Sequence, residues 1–156
     1  MARLSRLASA AYLVALAGCQ QPPAENALPV TETSRDFGDY IVHFNALTTD
    51  QLTAEIAQRH GIIRSNSRCL LNVSILRKEP GGASLPVKAD VNVSASNLTG
   101  QLKNVSVREI QEQDAVYYLG ECSVANAETL IFDIDVTPEN EESPLSVRYR
   151  KQFFLN

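Results

Sequence analysis

The sequence predicts an antiparallel, immunoglobulin-like β-sandwich of about seven strands, with one short helix between the first two strands. From Phe37 onward, apolar and polar residues alternate with a period of two, which is typical of sheets with one buried face. The clearest alternation lies in 130–137, where every even-numbered residue up to Val136 is apolar. Turn residues separate these segments at short spacing, which favours two packed sheets over an α/β fold, with a β-barrel as the alternative.

Seven alternating segments are the predicted strands. They lie at about 40–45, 69–76, 87–96, 102–111, 115–124, 130–137 and 145–155. The segments between them carry the Gly, Pro, Asn and Asp residues that turns prefer, at 80–82, 97–100, 112–114, 126–128 and 138–144. We therefore expect most connections between strands to be short.

The segment between the first two strands predicts the helix. Its apolar residues recur at roughly helical spacing, at Leu52, Ile56 and Ile63. Thr49 or Asp50 is a suitable N-terminal cap, and Gly61 after Arg59 is a typical end, because glycine adopts positive φ. We expect a helix of about ten residues that covers one end of the sandwich.

The start of the chain predicts export. Arg3 and Arg6 precede an uncharged run over 7–18, and Cys19 follows Leu-Ala-Gly. A positive start, a short apolar run and small residues before a cut are typical of a signal peptide. The cysteine makes the stretch similar to the lipobox of bacterial lipoproteins, so we expect a lipoprotein signal peptide over 1–18 and lipid on Cys19.

Two other interpretations of this stretch stay open. They are a plain secretory signal and a membrane anchor that contains a cysteine, although twelve uncharged residues are fewer than the about 20 that a membrane span needs. Gln20 stands where an aspartate would resemble an inner-membrane retention signal. The predicted location is therefore the periplasmic face of the outer membrane, with the inner membrane or the soluble periplasm as alternatives.

The rest of the chain divides into a tether and one domain. Residues 19–35 contain three prolines, few large apolar residues and no periodicity, which predicts a flexible tether. Residues 36–156 have the length of a single β-sandwich domain with its own core. The formal net charge of −4 argues against nucleic acid as a partner, because phosphate contacts need clustered lysines and arginines.

Cys69 and Cys122 each lie on the apolar face of a predicted strand. In an exported protein, two inward-facing thiols predict a disulfide, with two buried free thiols as the alternative. Because the sequence has no Cys-x-x-Cys and no histidine that completes a ligand set, we expect no metal and no cofactor.

Candidates for catalysis are few. The two histidines, His43 and His60, have no serine, cysteine or carboxylate beside them in the sequence, and there is no Gly-x-Ser-x-Gly motif. The sequence therefore predicts no catalytic residue and a non-enzymatic protein. A hydrolase whose catalytic groups meet only in space is the alternative.

Four arginines are candidates for a basic surface. Arg64 and Arg68 flank the start of the second predicted strand, and Arg148 and Arg150 lie on one face of the last. Guanidinium groups in this position suit an acidic partner or a carboxylate ligand. Protection of strand edges from pairing with other chains is the simpler interpretation.

Six segments taken together resemble the domain of unknown function family 4426 of proteobacteria. They are 37–46, 61–65, 70–74, 109–110, 115–118 and 129–136, and the resemblance covers nearly all of 36–156. It implies a small exported β-rich domain. It implies no activity, and it assigns no catalytic or ligand-binding residue.

These observations predict an envelope-anchored lipoprotein that acts as a non-enzymatic protein-interaction or accessory module in the periplasm. Its expected partners are the membrane, through lipid on Cys19, and an envelope protein. The alternative is a domain that binds or senses a small ligand in a pocket beneath the predicted helix, with His43 and Arg64 as its polar groups.

Overall fold

The computed structural model describes residues 32–155 of the chain. The predicted signal peptide, the lipidation site at Cys19 and most of the predicted tether over 19–35 lie outside the described residues. Within 32–155, no helix is long and apolar enough to cross a membrane.

The described residues form ten strands, one 3-10 turn and one α-helix. In chain order they are β1 (Ser34–Asp36), β2 (Tyr40–Thr48), the 3-10 turn (Thr49–Gln51), α1 (Ala54–Arg59), β3 (Arg68–Lys78), β4 (Ser84–Pro86), β5 (Ala89–Asn97), β6 (Leu102–Lys103), β7 (Ser106–Glu112), β8 (Ala115–Ser123), β9 (Thr129–Pro138) and β10 (Leu145–Gln152).

The strands make two antiparallel sheets. The larger has the order β1-β2-β3-β8-β7, with β4 paired to the far end of β3, and the smaller has the order β10-β9-β5-β6. Buried side chains from both sheets form one core, and the rings of Phe44 on β2 and Tyr149 on β10 lie 5.1 Å apart. The β-sandwich is therefore confirmed, and its arrangement is consistent with an immunoglobulin-like fold.

The alternating residues behave as the two-residue period predicts. Leu130, Phe132, Ile134 and Val136 on β9 are all fully buried between the sheets. Ala95 on β5 is buried as well, whereas its neighbour Ser94 is exposed. Burial of one face of each strand supplies most of the apolar area that the fold removes from water.

The strand count exceeds seven at three places. β1 begins at Ser34, two residues inside the segment assigned to the tether, and β4 adds a short strand before β5. The predicted strand over 102–111 is two strands in different sheets, because β6 pairs with β5 whereas β7 pairs with β8. The chain thus crosses from the smaller sheet to the larger between Lys103 and Ser106.

The helix differs from its prediction in length and position. A 3-10 turn takes up the predicted start, and α1 is only six residues long, capped by Thr53. The expectation that it covers one end of the sandwich is wrong. It packs on the outer face of the larger sheet, because Ala57 contacts the cluster that contains Leu70 and Leu119, two residues that point away from the inter-sheet core.

Cys69 and Cys122 form a disulfide, as predicted. The two residues are direct partners in the register of β3 and β8, with their Cα atoms 5.2 Å apart. Both side chains are buried in the core. The bond therefore joins two central, adjacent strands of the larger sheet.

Candidate functional site

The candidate site is a groove on the outer face of the larger sheet beside α1, which we call the α1 groove. Its volume is about 340 Å³. Its floor and walls come from β2, β3, β8, the end of β7 and the helical segment. The lining residues are Asn45, Leu47, Leu52, Ile56, Arg59, His60, Ile62, Leu70, Asn72, Glu112, Tyr117 and Leu119.

Local sequence fixes the position of α1 above this floor. The hydroxyl of Thr53 accepts a hydrogen bond from the backbone N–H of Ile56 at 3.2 Å, which caps the first turn. At the other end Gly61 has φ of 62°, and the N–H of Ile62 donates to the carbonyl of Ala57 at 2.8 Å. This reversal directs the buried side chain of Ile62 back onto the sheet.

The floor of the α1 groove is apolar. Leu70 and Leu119 are each about 5% exposed or less, and both point out of the larger sheet on the side of the helix. Leu52 and Tyr117 pack against them from the edges. Ile56 on α1 is 40% exposed at the rim, so the groove is open to solvent beside the helix.

His60, Glu112 and Tyr117 meet at one wall of the groove. Nε2 of His60 lies 3.8 Å from Oε1 of Glu112, and the rings of His60 and Tyr117 meet edge to face with centroids 6.1 Å apart. The His60 side chain is only 10% exposed. Its backbone carbonyl accepts a hydrogen bond of 2.6 Å from Arg108 on β7, which fixes this end of the helix to the sheet.

Burial and the neighbouring carboxylate keep the Tyr117 phenol protonated. Burial is the largest cause that raises the pKa of Tyr117, and the hydrogen bond and negative charge of Glu112 raise it further. The wall therefore presents a neutral phenol, an imidazole and a carboxylate above apolar side chains. Such a surface suits an apolar group that carries a polar or hydrogen-bonding end.

The structure does not bring the two predicted ligand-binding residues together. His43 lies in the middle of β2, opposite Ser74 of β3, on the outer face of the larger sheet. Arg64 lies beyond the other end of β2, and its guanidinium donates to the carbonyl oxygen of Asp50 at 2.8 Å. Neither lines the α1 groove. Five residues of extended strand, about 16 Å, separate His43 from the end of β2 at Thr48.

Two of the other arginines singled out in the sequence, Arg148 and Arg68, have carboxylate partners nearby. Arg148 pairs with Asp133 directly across β9 and β10, with Nε 2.6 Å from Oδ1. Arg68 lies 3.2 Å from Glu121. The sulfurs of Cys69 and Cys122 are bonded to each other, so neither is a free thiol.

A family model described as a domain of unknown function, DUF4426, matches residues 34–156. The chain belongs to the DUF4426 family. A crystal structure of a DUF4426 family protein from Pseudomonas aeruginosa PAO1 is 31% identical and has a TM-score of 0.68, covering 81% of this chain and 97% of that chain. No curated protein gives a significant match. The resemblance stated above is thereby confirmed, and the DUF4426 description names no activity.

Sequence reasoning missed most of the groove. It placed His60 at a helix end and Glu112 in a turn, and these two meet only through packing of α1 onto β7 and β8. One signal was present in the sequence. Leu70, Tyr117 and Leu119 put large apolar groups on the face that the alternation assigns to solvent, which indicates that something covers that face.

Proposed function

We propose that this DUF4426 protein is a non-enzymatic binding module of the bacterial cell envelope, held by lipid on Cys19 at the periplasmic face of the outer membrane. We further propose that the α1 groove takes an apolar group of an envelope protein. The observation that carries this proposal is the open groove over the buried side chains of Leu70 and Leu119, with Ile56 of α1 exposed at its rim.

The edge of the groove supports a protein as the occupant. Ile56 on α1 is 40% exposed and lines the groove, so an apolar side chain at the rim continues the apolar floor. His60, Glu112 and Tyr117 add polar groups along one wall. An apolar centre with a polar edge is the usual arrangement where a partner seats one anchoring side chain.

The surroundings of the histidines support the non-enzymatic interpretation. Within residues 32–155, no serine, threonine or cysteine side chain hydrogen-bonds to His60, whose Nε2 lies 3.8 Å from Oε1 of Glu112. A nucleophile activated by histidine needs its oxygen or sulfur within about 3.2 Å of the ring. His43 lies between Ser34 and Ser74 in register, on a different part of the sheet, and among the described residues neither serine hydrogen-bonds to its ring.

The proposed attachment rests on the sequence around Cys19, and a fatty-acid label tests it. Cells grown with a clickable palmitate analogue are expected to yield labelled protein, and Cys19→Ala is expected to yield none. A label that persists in Cys19→Ala, or wild-type protein that carries residues 1–18 in intact-mass spectra, would contradict the anchor.

Site-specific photo-crosslinking tests the groove. A benzophenone amino acid at Ile56 is expected to give one discrete adduct in intact cells. The same amino acid at Asn92, an exposed residue on the outer face of the smaller sheet, is the matched control and is expected to give none. Identical adduct patterns from both positions would refute the groove as the docking surface.

A small ligand is the second candidate, and the volume of the groove favours it. About 340 Å³ lies at the lower end of the range of 300–1,000 Å³ that is typical of ligand pockets. Native mass spectrometry of protein purified from membranes is expected to show a bound mass that Leu119→Glu removes. Unliganded protein from the membrane, together with a discrete adduct at Ile56, would favour the protein partner instead.

A further inference from the structure

Two arginines converge on one carboxylate at the disulfide end of the larger sheet. Arg68 on β3 and Arg108 on β7 flank Glu121 on β8. Nη2 of Arg68 lies 3.2 Å from Oε2 of Glu121, and Nη2 of Arg108 lies 3.8 Å from Oε1. The three residues share the outer face of the sheet because each alternates with residues that point to the core.

The cluster carries a net charge of +1, because both guanidinium groups stay protonated and Glu121 supplies one negative charge. The chain as a whole has a formal net charge of −4, so this cluster is positive in a protein that is negative overall. Each guanidinium has five N–H donors. Among the described residues, Arg68 and Arg108 use only Nη2 for hydrogen bonds, to Glu121 and to the carbonyl of His60. Nε and Nη1 of both arginines make no hydrogen bond to the described residues.

An open pocket of about 580 Å³ adjoins the two arginines. Three hydroxyl groups and one amide also line it, from Ser67, Ser106, Ser123 and Asn104. These groups donate hydrogen bonds to oxygen atoms, and the polar lining does not suit an apolar ligand. The pocket is thus built differently from the α1 groove, whose floor is leucine.

We propose that this pocket binds the oxyanion of a polar ligand, either a phosphate or a carboxylate, between Arg68 and Arg108. Planar guanidinium groups match such oxyanions with paired N–H donors. Glu121 lies between the two guanidinium groups, and its charge opposes the anion. The pocket shares no lining residue with the α1 groove, and Arg108 links the two by donating a hydrogen bond to the carbonyl of His60.

Isothermal titration of the purified full chain with inorganic phosphate and, separately, acetate tests the proposal. We expect saturable binding of at least one anion, about tenfold weaker in Arg68→Gln and in Arg108→Gln, as loss of one charge-assisted hydrogen bond implies. Glu121→Gln is expected to bind severalfold more tightly, because the opposing charge is gone. Short-chain phosphatidylglycerol below its micelle concentration distinguishes a lipid headgroup from free phosphate.

Arg148→Gln is the matched control, since Arg148 is an exposed arginine paired with Asp133 on the smaller sheet. Arg68→Lys keeps the charge without the planar donor pair, and it replaces Arg68→Gln if that variant loses its circular-dichroism spectrum. Binding that Arg148→Gln weakens as much as Arg108→Gln, weaker binding in Glu121→Gln, or no saturable binding of any of the three probes would overturn the proposal.

Discussion

The phenol oxygen of Tyr118 on β8 accepts a hydrogen bond from the backbone N–H of Ala89 on β5 at 2.8 Å. The same hydroxyl donates to Oε2 of Glu109 at 3.2 Å. Burial is the main cause that raises the pKa of Tyr118, and the charge of Glu109 adds to it, so the phenol keeps its proton at neutral pH. A polar contact thus joins the two sheets beside their shared core.

Tyr118→Phe is expected to lower the free energy of unfolding by about 1–3 kcal/mol. The change removes the acceptor of the Ala89 N–H and leaves a donor unpaired beside the core. Urea unfolding followed by circular dichroism measures the loss. A variant as stable as the wild type would show that water replaces the phenol at Ala89.

Tyr149→Phe is the matched substitution, and it is expected to raise the free energy of unfolding where Tyr118→Phe lowers it. The hydroxyl of Tyr149 is buried and makes no hydrogen bond of good geometry, although the backbone N–H of Ala46 lies close enough to interact with it. Its burial raises the pKa of Tyr149, an effect that the nearby backbone of Ala46 partly offsets. Removal of a buried hydroxyl without a well-formed hydrogen bond is expected to raise the free energy of unfolding by up to about 1 kcal/mol in the same urea experiment. A loss of stability would mean that the hydroxyl has a partner in solution.

Stability is expected to fall at acidic pH through Glu128. Burial alone would raise the pKa of Glu128, but hydrogen bonds from Lys103, the Ala125 N–H and Asn97 outweigh it, and the pKa lies below its ordinary value of 4.5. A lowered pKa in the folded state gives stability that is present above pH 4.5 and is lost as pH falls through the folded value. Glu128→Gln is expected to lower the free energy of unfolding by about 2 kcal/mol at pH 7. It should also make the free energy of unfolding less dependent on pH below 4.5.

The control for Glu128→Gln is Asp133→Asn, which breaks the exposed pair with Arg148. An exposed pair contributes less than about 1 kcal/mol, so this variant should differ little from the wild type at pH 7. Parallel pH profiles for the wild type and Glu128→Gln would contradict the role of Glu128.

Loss of the disulfide is expected to lower the free energy of unfolding by about 4 kcal/mol. Cys69 and Cys122 are 53 residues apart in the sequence, and closing a loop of that length in the unfolded chain reduces its entropy accordingly. The double variant Cys69→Ala/Cys122→Ala should unfold at a lower urea concentration and be insensitive to dithiothreitol, whereas the reductant should destabilise the wild type. A loss below about 1 kcal/mol would contradict the chain-entropy account.

The sandwich was predictable because one buried face imposes a two-residue period on long strands. β9 shows this best, since its core residues from Leu130 to Val136 alternate without interruption. The cysteines were predictable for the same reason, because both lie on core-facing positions. That β3 and β8 are neighbours was not, because strand order depends on which surfaces pack and not on local pattern.

The change of sheet after Lys103 had only a weak signal. Lys103 pairs with Ala95 in the smaller sheet. Its Nζ also lies 2.7 Å from Oε1 of Glu128, and this ion pair joins two distant parts of the sequence. Gly120 lies where the crossing segment passes, and a Cβ there would lie 3.0 Å from Cγ1 of Val105. A glycine inside a strand indicates such a close approach without saying which segment makes it.

The candidate sites were the least predictable part. The α1 groove requires His60 and Glu112 to meet across 52 positions of sequence, and the anion pocket requires Arg68, Arg108 and Glu121 to lie side by side on three strands. Both arrangements follow from the register of β7 and β8 and from the docking of α1. None of these leaves a local pattern in the sequence.

Between β6 and β7 the chain passes from one layer of the sandwich to the other within a few residues. Because both layers bury their apolar faces in one core, loss of either layer exposes the apolar face of the other. Melting should consequently be all-or-none, with calorimetric and van't Hoff enthalpies that agree.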